Sequence, residues 1–211
     1  MKESKAHIAP LLENICRNDD QNSLEQLLKL FYHRLINFCI HNIGDKEAAE
    51  EIVSDVFIKL WINRKENADI RNLETYLFIA VKNQSLNHLK HFSKYRVVYL
   101  EEEGKNQLIN THDPRKELER KELIFKMNEA IDSLPRQCKL IFSMIREDGL
   151  KYKEVAEILN LSPRTVETQL VRAMKKLDQI LSPYLEVNKT PAKRKSKSIH
   201  AVKSFLFSFF F

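Results

Sequence analysis

Apolar residues recur along this chain at three- and four-residue intervals in two long blocks, the spacing of amphipathic helices rather than of strands. In the first block Leu24, Leu27, Leu28, Phe31, Leu35 and Phe38 share one side of a helix. Ser23 and Gln26 ahead of them read as an S-x-x-Q capping box, and Gly44 ends the helix. Asp45 then caps a second helix with the stripe Ala49, Ile52, Val53, Val56, Phe57 and Leu60, and with Glu47, Glu51 and Asp55 on its far side. A third helix, from Leu73 to His91, is apolar nearly all round its first turns, as expected of an element packed between others.

From Lys94 to Arg115 the period lapses, and Gly104, Asn110, Asp113 and Pro114 mark an interdomain linker. Helical spacing resumes near Lys116 with Leu123, Ile124, Met127, Ala130 and Ile131, and breaks at Leu134 and Pro135. The next helix turns Cys138, Ile141, Phe142 and Ile145 inward and stops at Gly149, a residue suited to a C-terminal cap. In the stretch that follows, Tyr152, Val155, Ala156 and Leu159 form one inward face, and Val166, Leu170, Ala173 and Leu177 form another. Only Asn160, Leu161 and Ser162 lie between the two helices, the second starting at Pro163. Asn enters the left-handed region more readily than most residues, Ser162 is a good N-cap, and Pro163 suits the first helical position. Ala156 is small enough for two closely crossing helices, and Leu161 fills the angle. The pattern predicts a helix-turn-helix whose second helix can enter a DNA major groove. Its outward residues are Arg164, Thr165, Glu167, Thr168, Val171, Arg172, Lys175 and Lys176, a mixture able to meet phosphates, base edges and thymine methyls.

Composition refines this picture. The 211 residues hold one ordinary domain or two small ones, and only 3 glycines and 6 prolines interrupt them. Cys16, Cys39 and Cys138 are scattered without C-x-x-C spacing, which points to neither a disulfide framework nor a zinc cage. The N-terminus lacks the apolar core of a signal peptide, and no run of about 18 apolar residues occurs, so a soluble cytoplasmic protein is expected. Net charge is +6, but six bases against one acid between Glu186 and Phe211 already contribute +5 of it. A nucleic-acid face must therefore come from local arrangement. Catalysis is not expected: the chain has no P-loop, no G-x-G-x-x-G and no Glu-x-x-His pair. His33 and His41 stand more than two helical turns apart beside Cys39, so no metal or cofactor is assigned.

With both blocks in view, the sequence resembles an extracytoplasmic-function sigma factor of the bacterial sigma-70 family, over roughly Leu11 to Leu181. "GDKEAAEEIVSDVFIKLW" resembles region 2 and "LETYLFIAVKNQSLNHLK" the helix after it, while "LPRQCKLIFSMIREDGLKYKEVAEILNLSPRTVETQLVRAMKKL" resembles region 4. The resemblance implies an all-α protein of two small helical domains. Region 2 spans 8–94, a flexible linker 95–115 and region 4 116–184, and a basic then aromatic tail over 185–211 is expected to be disordered and is assigned no function. It also implies partners: core RNA polymerase, promoter DNA both duplex and single-stranded, an anti-sigma factor as a further candidate, and no small-molecule substrate. Region 4 would read the duplex minus-thirty-five element, with Glu167, Thr168, Val171 and Arg172 toward the bases and Lys175 and Lys176 toward the backbone.

Region 2 would capture the separated non-template strand of the minus-ten element, which needs cations with planar or amide groups. Lys59, Trp61, Asn63, Arg64, Lys65, Arg71 and Asn72 offer these around one loop, and Lys82, Asn83 and Lys90 extend them along a run without an acid between Glu74 and Glu101. Glu47, Glu51 and Asp55 resemble the side of region 2 that faces the polymerase. Plainer readings stand beside these. Trp61 can be a domain-edge aromatic, Tyr76 and Asn83 can pack on a mostly buried helix, and the acidic stripe can be a solvated face. A LuxR-type regulator shares the terminal helix-turn-helix and is the alternative class, but its usual partner domain is an α/β receiver rather than a helical block.

Overall fold

The computed structural model describes the backbone of residues 2–92 and 124–186, and the side chains of 8–91 and 124–182. All regular structure among the described residues is helical. In order these are α1 (Lys2–Asn18), α2 (Gln21–Ile43), α3 (Lys46–Ile62), a 3-10 turn (Glu66–Asp69), α4 (Leu73–Phe92), α5 (described over 124–132), α6 (Arg136–Arg146), α7 (Tyr152–Leu159) and α8 (Pro163–Glu186). The chain separates into two compact units, the first holding the helices up to Phe92 and the second most of the chain from α5 onward. The segment read as a linker, the residues 116–123 read as helical, and the tail beyond Glu186 lie outside the described residues.

In the first unit α2 packs against α1, α3 and α4. The predicted stripe of α3 is buried throughout, as are Leu27, Phe31, Leu35 and Phe38 of α2, while Leu24 and Leu28 of the predicted α2 stripe are half-buried. Phe38 and Phe78 stack edge to face with centroids 5.1 Å apart, the arrangement aromatic quadrupoles prefer. Gly44 closes α2 at φ 74°, and Asp45 Oδ1 accepts the Ala48 N–H at 3.0 Å to open α3. A backbone with positive φ favours glycine at the first site, and an orphan N–H favours an acid at the second.

Three details depart from the sequence reading. First, α2 begins two residues ahead of Ser23: its cap is Asp20, whose carboxylate accepts from the N–H groups of Asn22 and Ser23 and from the Ser23 hydroxyl at 2.6 Å. Ser23 is thereby the third helical residue, and its hydroxyl donates to the cap instead of serving as one. Second, α1 was not anticipated, since Pro10 interrupts its pattern, yet it buries Leu11, Leu12, Ile15 and Cys16. Third, α4 is buried along one side only: Leu73, Leu77, Phe78 and Val81 are covered while Tyr76, Asn83, Leu86 and Leu89 are exposed. Glu74 is also buried, held by the Arg34 guanidinium at 2.5 Å, which in turn lies over the rings of Phe31 and Phe78. Pairing makes that carboxylate tolerable in an apolar setting.

In the second unit α6 lies against α8. Cys138, Ile141 and Phe142 point into the core as expected, with Met144 buried there in place of the predicted Ile145, which is half-buried; α6 ends at Arg146, with Gly149 taking the left-handed turn at φ 68°. The turn between α7 and α8 is built as the sequence predicts. Asn160 sits at φ 54°, the Leu161 N–H reaches the Ala156 carbonyl at 2.9 Å, and the Ser162 Oγ accepts the Thr165 N–H at 3.0 Å. Val155, Ala156, Val166, Leu170, Ala173 and Leu177 are buried beneath it. On α7, however, Ile158 takes the deep position and Tyr152 stands 41% exposed.

Candidate nucleic-acid interface

The outer face of α8 and the start of α7 enclose an open groove of about 680 Å³, lined by Tyr152, Pro163, Arg164, Glu167, Thr168, Val171, Arg172 and Lys175. Six of the eight residues predicted from the sequence to face DNA are in that lining. Its chemistry is mixed in a useful way. Arg164, Arg172 and Lys175 are exposed cations, Glu167 is an exposed acceptor, and Val171, 47% exposed, is an apolar island among them. The Thr168 hydroxyl donates back to the Arg164 carbonyl at 2.8 Å. Its proton is thus taken up within the helix, and the side chain can only accept or offer its methyl.

The other two residues do different work. Thr165 belongs to the cap, its hydroxyl 2.8 Å from that of Ser162. Lys176 turns away from the groove and donates its ammonium to the carbonyl of Ser133, in the turn after α5. Gln169 is held from the same side: it accepts from the buried Cys138 thiol at 3.0 Å. Tyr152 is the lining residue that periodicity misplaced. At the first position of an eight-residue helix it begins a new face, and a phenol with an apolar body and a polar tip suits either side.

In the first unit, the candidate residues for a separated strand gather where α3 ends and α4 begins. Lys59, Asn63, Lys65, Arg71 and Asn72 are exposed there. Asn63 is the C-cap of α3, its N–H bonded to the Lys59 carbonyl at 3.0 Å, and Asn72 Oδ1 accepts the Thr75 N–H at 3.2 Å to start α4. Trp61 is half-buried, with the Arg64 guanidinium over its ring at 4.5 Å. Further along α4, Asn83 and Lys90 are exposed, whereas Lys82 is half-buried and burial pulls its ammonium below the usual lysine range.

Glu47, Glu51 and Asp55 are exposed on α3. The same stripe continues at helical spacing into Ile58 and Ile62, which are 54% and 65% exposed. These two isoleucines lie outside the predicted buried stripe, at positions where a solvated face would carry polar residues, and that mismatch is their signal in the sequence.

Residues 27–94 match the family model for Sigma-70 region 2, and residues 124–177 match that for Sigma-70, region 4. The chain is similar to the RNA polymerase sigma-H factor of Pseudomonas aeruginosa, with 22% identity over 182 residues, covering 83% of this chain and 94% of that protein. It is also similar to the ECF RNA polymerase sigma factor SigW of Bacillus subtilis, 22% identical over 170 residues, with 76% and 90% covered. Among solved structures, the sigma factor RpoE of Bartonella quintana, determined in complex with the anti-sigma factor NepR, superposes with a TM-score of 0.53 at 20% identity, covering 78% of this chain and 98% of that one. A structural likeness at that identity speaks to the fold alone.

Proposed function

This chain belongs to the sigma-70 family, within its extracytoplasmic-function group, and from that premise we propose that it binds core RNA polymerase and directs it to promoters through two separate DNA contacts. In the first contact, α8 enters the major groove of the minus-thirty-five element. Arg172 makes a bidentate bond to a guanine edge, Glu167 accepts from a cytosine amine, and Val171 packs on a thymine methyl. Arg164 and Lys175 hold the flanking phosphates. In the second, the surface at the end of α3 and along α4 holds the separated minus-ten strand, with Lys59, Lys65, Arg71 and Lys90 against phosphates and Asn63, Asn72 and Asn83 offering amides to flipped bases. The stripe of Glu47, Glu51, Asp55, Ile58 and Ile62 docks on the polymerase, its apolar end supplying buried area and its acids supplying orientation.

The observation that carries this reading is the groove on α8: cations at both ends, one acid and one apolar residue between, presented on a helix fixed by an N-cap and a tight turn. No helix among the described residues is long and apolar enough to cross a membrane. An anti-sigma factor is a further proposed partner, since the similar RpoE was solved with one. A LuxR-type regulator that leaves the polymerase's own specificity unchanged is disfavoured by the region 2 match in the first unit.

Run-off transcription from a genomic promoter library, with core polymerase and with or without this protein, is the test. Selection of new start sites is expected, and its absence would sink the reading. Arg172→Ala is expected to lower initiation at selected promoters about ten- to a hundredfold, the worth of about 1–3 kcal/mol for one bidentate base contact. Its affinity for core polymerase should be unchanged.

A further inference from the structure

Arg64 stands among the cations of the minus-ten surface, yet its guanidinium is already engaged through two of its nitrogens and one face. Its Nε donates to a carboxylate oxygen of Asp19, its Nη1 donates to the Trp61 carbonyl at 3.0 Å, and its plane lies over the Trp61 ring. The side chain is 22% exposed, little for an arginine meant to receive a polyanion.

Asp19 occupies an unusual position of its own. It forms the turn between α1 and α2 at φ 52°, a region that glycine enters most freely and aspartate only tolerates. Glycine would suit that backbone but would bring no carboxylate. The neighbouring Asp20 cannot substitute, because its oxygens are taken by the first turn of α2. The two consecutive acids thus divide their work, one toward its own helix and one across 45 residues to Arg64. The element that follows Arg64, the 3-10 turn Glu66–Asp69, packs directly on α1. The loop that presents Lys65 and Arg71 is therefore anchored to the amino-terminal helix by both packing and charge.

We propose that Asp19, Arg64 and Trp61 form a strut that fixes the loop 63–72, so that Arg64 is a positioning residue for strand capture and not a ligand of the strand. The proposal rests on the minus-ten role given above to that surface. It makes an unexpected demand: an acid at the edge of a cationic surface must help a polyanion to bind. Coulomb's law alone gives the opposite sign, since removal of Asp19's charge raises the local positive potential.

The test uses the full chain assembled with core polymerase and a fluorescently labelled non-template oligonucleotide from a promoter selected in the run-off experiment, titrated at several salt concentrations. Asp19→Asn keeps the side-chain volume and the tolerance of positive φ while losing the charge. It is expected to weaken strand binding about tenfold, as misplacement of a binding loop does. Arg64→Lys, which keeps a charge but loses the planar fork, is expected to do the same. Neither should change the salt slope. Unchanged or tighter binding by Asp19→Asn would overturn the proposal. So would rescue by lysine, or a fall of about 0.7 in the slope for Arg64→Ala, the mark of one lost single-strand phosphate contact.

Hydrogen exchange of the unbound protein gives a readout independent of DNA. Amides of 63–70 should exchange faster in both variants, with α2 unchanged as the check on folding, and equal exchange in the loop would refute the strut. If the unaltered protein failed to hold the strand, the minus-ten role would fall while the exchange measurement still decided the strut.

Discussion

Asn160 illustrates how much one residue's backbone preference could convey. Its place between two apolar faces and its tolerance of positive φ predict the turn, and φ is 54°. Asn160→Gly is expected to leave the turn intact, whereas Asn160→Val should cost about 1–2 kcal/mol, because a β-branched side chain clashes in the left-handed region. Exchange protection of the α7 and α8 amides would report the difference. Tyr152 shows where such reasoning stops: an amphipathic side chain at the first position of a short helix carries no periodic signal, so its exposure had to be seen. The acids at 19 and 20 make a prediction of a different kind. Arg64's hydrogen bond holds the Asp19 carboxyl below the ordinary carboxylate range, and the Ser23 hydroxyl, then the N–H groups of Asn22 and Ser23, do the same for Asp20. A group whose folded value is depressed stabilises fully above its unfolded pKa, about 3.9, and loses that contribution as pH falls through the lower folded value. The first unit should therefore weaken below about pH 4. Asp20→Asn should be less stable at neutral pH and show a flatter acid limb, measurable by circular dichroism.

At the scale of elements, strongly periodic helices were legible and their starts were less so. The six predicted positions of the α3 stripe are all buried, because they repeat without a break and an acid precedes them; Ala48, small and next to the cap, is a seventh that the spacing does not mark. The start of α2 lies ahead of the S-x-x-Q box because Asp20 and Ser23 are equally good caps by residue type, and the Ser23 hydroxyl is spent as a donor to Asp20. On α8 the outward face was legible, but the fates of two adjacent lysines were not. Lys175 lines the groove while Lys176 ties the helix to the turn after α5. Lys175→Ala should reduce the salt slope of duplex binding by about 0.9, one phosphate's share. Lys176→Ala should leave that slope unchanged and instead speed exchange at the end of α5. Equal slopes for the two variants would mean that the groove assignment is wrong.

For the whole molecule, the all-α architecture and the division into two units follow from the same cause: each block has one apolar face per helix and enough helices to cover those faces. What escaped was α1, where Pro10 and a mixed N-terminal turn hide four buried positions, and with it the anchor that α1 gives to the loop after α3. Charge was legible as a distribution. Since the residues after Glu186 carry six bases and no acid, truncation after Glu186 should lower affinity for non-promoter DNA and flatten its salt dependence. The choice of start sites should survive, and run-off mapping beside a filter-binding titration would check both.

The Lys176 contact has one more outcome for promoter choice. The bond from Lys176 to the Ser133 carbonyl opposes tilting of α8 toward an imperfect duplex. Part of the adjustment on docking then falls to the nucleic acid, and the stiffness of base steps flanking the contacted ones becomes part of what is selected. Two promoters with identical contacted bases should be used unequally if one carries a flexible pyrimidine–purine step beside them and the other a rigid A-tract.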